Sequence, residues 1–464
     1  MSQQVMIGTG TVEKYDLVVA GAGGGLVGAI KAAQQGHKVL LIDASPDFIN
    51  TCNTSMTSGM FPASGSRWQR ALGIVDSPEI FQSDIMKKTK STADVTLTKL
   101  LTEVSVELVE WMSDSLGVPW ELVTDFHYPG HSVDRCLSVP GRLGILVLEP
   151  IWNEAKSKEL FDFKPSTRLV DVVIKENKVV AAVVQSEGQD PVEIPTKNIL
   201  IATNGYGANQ KLLYEYNPEI CYVHFQGSKY SRGDALAIGT KHGIATGFLD
   251  AYQGHAAVSA HSKTLVGWTT IMQGGFILNL EGKRFGDESA GYSEYAAILN
   301  DQKGNAGWLI IDQEINDQSM LFKEYAITAA SGAIIWAQTL EELATKLEVP
   351  FENLNAEVEN ATQVDLGLRK DPHGRELFGK TLKAPFGAIK VRPALFHTQG
   401  GLKVNEKAQA IKEDGSVIAN MYVAGGAAIG ISGHGSDGYL AGNGLLSAFG
   451  LAYIAAKSLG SKES

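Results

Sequence analysis

The most ordered pattern of apolar and polar positions lies between residues 16 and 43. Asp16 to Ala20 is a short apolar run rich in β-branched residues; Gly21, Gly23, Gly24 and Gly25 follow at once, and a helical spacing of apolar positions continues to Gly36. A second apolar run, Val39 to Ile42, ends in Asp43. Strand, glycine loop, helix, strand and acid in this order predict a βαβ unit. The glycines let backbone approach a pyrophosphate at the helix N-terminus, and the acid closing the second strand suits a ribose hydroxyl. The spacing falls one residue short of G-x-G-x-x-G, so Gly25 is read as the third glycine.

Residues 80–116 read as helix, with Leu97, Leu100, Leu101, Val104, Leu108, Trp111 and Met112 on one face and Gly117 and Pro119 as stops. Segments 166–174 and 178–185 read as strands around the turn Lys175-Glu176-Asn177. Asn198 to Ala202 reads as a buried strand opening into Thr203, Asn204 and Gly205. The character changes after Gly243, where glycines and aromatics mix with a helical stretch near 338–361, and the earlier pattern resumes around Pro385. The expected build is α/β: residues 1–250 and 385–464 form one discontinuous Rossmann-type domain, and 251–384 form an inserted α+β cap. Near the C-terminus, Gly442-Asn443-Gly444-Leu445 leads into a helix with Leu445, Phe449 and Ala452 on one face. Its N-terminus would offer N–H groups and a positive dipole end to developing negative charge.

Composition narrows the function classes. At 464 residues, 44% hydrophobic and 20% charged, the chain has ordinary globular usage and room for a second domain. A net charge of −11 without a basic stripe speaks against nucleic acid as a partner. Cys52, Cys136 and Cys221 lie too far apart for a zinc knuckle, an iron–sulfur run or a haem attachment pattern, so no metal site is expected and a reducing compartment fits. The first residues lack the basic and apolar regions of a secretion signal, and no apolar run reaches the ~18 residues a spanning helix needs. A cytoplasmic protein with no integral membrane segment is expected.

The pieces VVAGAGGG (18–25), NTSMTSGMFPASGSRWQ (53–69), GHSVDR (130–135), ILIATNGYGAN (199–209), GDALAIGTKHG (233–243), NLEGKRFGDES (279–289), FHTQGGLKV (396–404), MYVAGG (421–426) and GYLAGNGLLSAFG (438–450) follow one another along essentially the whole chain. In this order they resemble the fumarate reductase and succinate dehydrogenase flavoprotein superfamily, including its 3-ketosteroid dehydrogenase branch. The resemblance implies FAD in the outer segments and a substrate enclosed between flavin and cap. Carried over, it assigns cofactor contacts to Gly21, Gly23, Gly24, Gly25, Asp43, Asn53, Thr54, Ser58, Gly59, Ala202, Thr203, Asn204, Gly425, Gly442, Asn443, Leu445 and Leu446. Asn53 stands where members with a covalent flavin carry histidine, so the FAD is expected to be non-covalent. Gly426 stands where many relatives carry a glutamate.

The departures from the family pattern point to the chemistry. Where fumarate reductases deliver the proton by an arginine after F-x-x-E, this chain has Tyr292. Their carboxylate-clamping arginine is absent, with Gly438 or Tyr439 in its place, and their upstream glutamate and arginine have no counterpart in Trp268 to Gln273. A buried carboxylate without a bidentate partner is costly, so fumarate or succinate is a poor substrate expectation. His255 and His397 persist at family substrate positions. Tyrosine at both changed positions is the ketosteroid dehydrogenase pattern, and it implies α,β-dehydrogenation of a cyclic ketone. In that scheme Tyr439 donates a hydrogen bond to the ketone oxygen, Tyr292 as tyrosinate removes the α-proton, and flavin N5 takes hydride from the β-carbon. Electrons then pass to a quinone or other external acceptor.

Free tyrosine titrates near 10, so this base needs help from His255, Arg135 or His131. For His131 and Arg135 a structural ion pair with Asp134 or a cap contact is the alternative, and Tyr128 is a further candidate. Two other functions stay open: an enoate reductase with His255 and His397 on a carboxylate and Tyr292 as proton donor, and an electron-transfer subunit. No second glycine-rich strand context indicates a resident NAD(P)H site. Trp268, Phe276, Tyr295 and Trp336 are candidate pocket walls.

Overall fold

The computed structural model describes residues 14–461 other than 377; the N-terminal run that lacks the pattern of a secretion signal lies largely outside them. The patterned βαβ unit forms as Leu17–Ala20, Ala22–Gln34 and Val39–Ile42. It belongs to a six-stranded sheet ordered Gln409–Ile411, Val417–Val423, Ile199–Ile201, Leu17–Ala20, Val39–Ile42, Asp162–Lys164. All neighbours run parallel except the edge strand Gln409–Ile411. The three central strands are buried at every position, as expected of parallel strands covered on both faces.

The C-terminal helix Asn443–Ser458 lies against Ala22–Gln34 on this sheet. Gly28 makes the approach possible: a Cβ there would meet Leu200 Cδ2 at 2.7 Å and the Ala452 carbonyl oxygen at 2.8 Å.

A second six-stranded sheet is built on Phe386–Thr398. This long strand pairs antiparallel with Tyr252–Ser259, Gly307–Asp312 and Ile334–Ala337, and parallel with His224–Phe225. Phe276–Leu278 joins through Gly307–Asp312. The two sheets have separate hydrophobic cores, and Phe386–Thr398 takes part in both: Ala388, Ile389 and Val391 pack in the second, Leu395 in the first. The packing thus changes sides within the strand, downstream of the division placed at 385 from sequence.

Where elements differ from expectation, short polar breaks explain it. The helix read over 80–116 is two, Pro78–Lys88 and Val95–Leu116, separated by Lys90 and Ser91 in left-handed backbone. Asp94 caps the second by accepting the Leu97 N–H at 2.8 Å. The stretch near 338–361 likewise divides into Leu340–Leu347 and Phe351–Asp365, with Glu348 left-handed and Pro350 starting the next helix. The hairpin is as read, Thr167–Lys175 with Lys178–Ser186, and Glu176 and Asn177 adopt the positive φ of its tight turn.

Candidate active site

A cavity of about 2030 Å³, including its open mouth, lies where the C-terminal ends of the parallel strands meet the second sheet. Ligands bind at this edge of open α/β sheets because the strand-to-helix loops there expose backbone N–H groups. Gly21, Gly23, Gly24, Asp43, Asn53, Thr54, Ser58, Ala202, Thr203, Asn204, Gly425, Gly442 and Leu445 face it, together with Tyr292, Tyr439, His255 and His397.

Three residues assigned to the cofactor pack away from the cavity, and a fourth, Asn443, sits against its wall. Gly25 sits beneath the loop, where a Cβ would be 2.7 Å from Val19 Cγ1, so it packs helix on strand. Gly59, with φ of +65°, packs against Leu143 and Val147. Leu446 belongs to the first core. Asn443 is fully buried just behind the cavity wall, and neither of its amide atoms has a partner.

The four catalytic candidates converge. The Tyr292 and Tyr439 rings are 6.0 Å apart edge to face, and His397 meets Tyr439 at 5.8 Å. His255 stacks on Tyr292 at 4.7 Å. Tyr439 Oη accepts the Gly444 N–H at 3.4 Å, which leaves its own proton free to donate. His255 Nδ1 accepts the Ala257 N–H at 3.0 Å, which puts the proton of the neutral ring on Nε2. Burial pushes the His255 imidazole down to about 3 and His397 down to about 4, so both are neutral at pH 7. Burial, with Tyr439 adding to it, holds Tyr292 well above the ordinary tyrosine value.

None of the three proposed helpers offers Tyr292 a free charge. His255 is neutral and stacked on it. Arg135 is fully buried, pairing with Asp76 at 3.0 Å and Asp84 at 2.6 Å rather than with Asp134, and donating to His131 Nδ1 at 3.0 Å. His131 also contacts the Ala441 carbonyl at 3.2 Å and is pushed down to about 3, chiefly by burial. The GHSVDR segment therefore braces the fold behind the site.

Of the four aromatics proposed as walls, Trp268 lines the cavity, whereas Phe276, Tyr295 and Trp336 pack in the second core. Sequence reasoning missed Gln399, Arg142, Phe322 and Glu324, all in the lining. Gln399 follows the FHT motif and donates to His397 Nδ1 at 2.8 Å, a signal available two residues from a chosen histidine. Arg142 comes from a turn, and Phe322 and Glu324 from the cap and first turn of the short helix Lys323–Ala330, where no family motif falls. Both guanidiniums in the lining are already held: Arg142 by Asp125 at 2.6 and 2.8 Å, Arg168 by Asp234.

The FAD binding domain family model matches residues 16–445. The chain belongs to this family. It is an oxidoreductase that takes FAD. Among its relatives, the NADH:fumarate oxidoreductase of Klebsiella pneumoniae is 26% identical over 91% of this chain, which spans 45% of that protein. The structure is similar to the open conformation of a flavocytochrome c3 fumarate reductase, with a TM-score of 0.78, 25% identity and coverage of 96% of this chain and 78% of that one. It also shares its fold with a 3-ketosteroid-Δ4-(5α)-dehydrogenase of Rhodococcus jostii, with a TM-score of 0.75, 21% identity and coverage of 98% of each chain.

The residues fit FAD. Gly21 has φ of +100°, and any Cβ would fall 2.2 Å from the Ala202 carbonyl oxygen, so only glycine admits the loop that opens helix Ala22–Gln34. Thr203 Oγ1 is buried beside the cavity without a partner, as is the Asn443 amide, and both are satisfiable by a polar cofactor. Asp43 accepts the Ala22 N–H at 2.7 Å and the Ser45 N–H at 2.8 Å, which holds the carboxylate at the loop while each oxygen keeps a further lone pair. Gly426 packs directly on Asn204, where a Cβ would be 2.6 Å from Asn204 Oδ1. Among the described residues no helix is long and apolar enough to cross a membrane, and no group of three or more His, Cys, Asp or Glu residues could hold a metal.

Proposed function

We propose that this oxidoreductase dehydrogenates a saturated cyclic ketone to its enone. The observation that carries the reading is the Tyr292–Tyr439 pair, 6.0 Å apart in a cavity whose guanidiniums are both already paired. Two neutral imidazoles and no free guanidinium suit a neutral carbonyl, and the one ammonium in the lining, Lys323, is exposed at the start of helix Lys323–Ala330. Tyr439, accepting from Gly444, donates its proton to the ketone oxygen and so acidifies the α-carbon. Tyr292, as tyrosinate, receives the α-proton, with its ring held by the His255 stack. Bound FAD supplies the hydride acceptor for the β-carbon. Asn53 donates to the Phe396 carbonyl at 3.1 Å and accepts the Ser228 N–H at 2.7 Å, an amide that holds loops together and forms no covalent bond to the flavin. An external acceptor, a quinone for instance, closes the cycle. The three free cysteines suit a cytoplasmic setting.

One observation favours the reverse direction as a second reading. Tyr292 rests protonated, which suits delivery of a proton to the α-carbon of an enone or enoate, and the Klebsiella relative is named for fumarate. Anaerobic mixing with a panel of saturated cyclic ketones, monocyclic and steroid, tests the proposal through the oxidised flavin band. Bleaching supports dehydrogenation. No bleaching, together with reoxidation of dye-reduced enzyme by an unsaturated acid, would replace it with the reductase reading, and a flavin inert to both would leave an electron-transfer role.

A further inference from the structure

Tyr292 and Tyr439 line two cavities at once. Behind them a narrow cleft of about 280 Å³, counted to its mouth, is also lined by Lys88, Tyr128, Ser293 and Glu294. It wraps round the first turn of helix Tyr292–Asn300. At its outer end Lys88 Nζ donates to the Ala290 carbonyl at 2.6 Å and pairs with Glu294 at 3.4 Å. The Glu294 side chain is 29% exposed, so it reaches both the cleft and the solvent.

The chemistry requires such an opening. When the α-carbon C–H bond breaks, its electron pair forms the new C=C bond as hydride leaves the β-carbon, and the proton goes to the phenolate oxygen of Tyr292. That proton must reach solvent before the next turnover, while the main cavity is filled by the ligand. The other neighbours offer no outlet: His255 Nδ1 is taken by Ala257, and Arg135 and His131 are locked to Asp76, Asp84 and the Ala441 carbonyl.

We propose that the cleft is the proton exit of the active site, with water in it passing the Tyr292 proton to the Glu294 carboxylate and so to solvent. A cleft lined by hydroxyls and an ion pair gives a bridging water the two or more partners it needs. Lys88 is a positioning residue that keeps Glu294 at the cleft mouth. Burial raises Glu294 above the usual carboxylate value; Asp437 adds to this, while Lys88 and Lys90 oppose it, so these three charges set its readiness to take a proton. Protons alone move, and no oxidant beyond that of the dehydrogenation is needed.

The inference rests on Tyr292 as proton carrier, and the test separates the two. The FAD-loaded enzyme is mixed in D2O with the cyclic ketone that bleaches it, and α-deuteration of the ketone is followed by NMR alongside turnover. Glu294→Gln is expected to slow both by roughly 10-fold, less than the roughly 100-fold or more that a group in direct contact with the substrate contributes, because Glu294 acts through water. Added formate, a small proton carrier, is expected to restore them, and Glu294→Asp to retain most of both; neither would repair a merely structural defect. Wild-type deuteration and turnover in Glu294→Gln, with Tyr292→Phe inactive, overturns the exit alone. Wild-type rates in Tyr292→Phe overturn the reading beneath it.

Discussion

The Tyr292 ring lies nearly flat on the His255 imidazole, with centroids 4.7 Å apart and planes 17° from parallel. Phe396 stacks on the same imidazole at 5.4 Å and 24°. Tyr292 is thus aimed by a layer of rings anchored through the Ala257 N–H, and its hydroxyl is kept for the substrate. Tyr292→Phe preserves that layer and removes only the oxygen. Ketone oxidation in the variant is expected to fall by roughly 100-fold or more at unchanged flavin content and unchanged thermal midpoint. Near-normal turnover would remove Tyr292 from the chemistry.

Because burial raises Tyr292 above its ordinary value, the two directions of reaction should depend on pH differently. Oxidation needs the tyrosinate, whose fraction grows about tenfold per pH unit below its pKa. Reduction of an enone needs the protonated form, which is fully populated across neutral pH. Rates of flavin bleaching by ketone should therefore climb from pH 7 through about pH 10, while reoxidation of reduced enzyme by the enone stays level. Bleaching that is level over this range would mean another group takes the proton.

The strand-end edge of the cavity was legible in the sequence because its determinants are local. Gly21, Asp43 and the run Ala202 to Asn204 each sit at a strand end, and strand pattern plus glycine placement locates them. The four catalytic candidates were legible only through family motifs, since Tyr292, Tyr439, His255 and His397 come from distant segments that the second sheet and the C-terminal helix bring together. What pairs with what was not legible. Arg135 reads as a neighbour of Asp134, yet its guanidinium turns to Asp76 and Asp84, a choice set by burial of all three in one layer. Gly25 reads as the third glycine of the loop and Gly28 falls within the helical pattern, and only the crossing with Ala452 shows why glycine is required at position 28.

Acid should destabilise the fold through its buried imidazoles. His131 and His255 are pushed down to about 3 and His397 to about 4, each chiefly by burial. An imidazole that stays neutral when folded and titrates near 6.5 when unfolded makes the unfolded chain bind more protons below that pH. Stability is then fully present above about pH 6.5 and is lost as pH falls toward the folded values, by about 2 kcal/mol per imidazole between pH 7 and pH 5. Urea midpoints at the two pH values measure the loss, and His131→Gln should flatten the difference. A pH-independent midpoint would show that these rings are not buried neutral.

At position 28, alanine gains helix propensity of about 1 kcal/mol over glycine, but its methyl would stand 2.8 Å from the Ala452 carbonyl oxygen. The Leu200 side chain can yield, whereas the backbone of the facing helix cannot without moving Asn443–Ser458 as a whole. Overpacking of this kind costs about 1–3 kcal/mol, so the net effect of Gly28→Ala is expected to be destabilising. A raised denaturation midpoint would mean the helices separate at little cost.

Asn443 separates the cost of folding from the gain of binding. Its amide is fully buried with neither atom partnered, and it lies between Gly442 and Gly444, which both line the cavity. An unsatisfied buried polar group costs about 1–3 kcal/mol, and an apolar group of like shape removes that cost. Asn443→Leu should therefore stabilise the flavin-free protein by about that amount. If the amide is left open for FAD, the same change should weaken FAD binding by roughly tenfold, the worth of one or two hydrogen bonds. Flavin-free protein titrated with FAD, followed by thermal shift and by flavin fluorescence, reads both quantities. A gain in stability with unchanged affinity would assign Asn443 to the fold alone, whereas opposite movements of the two would make it a residue whose folding cost is offset only when the cofactor is bound.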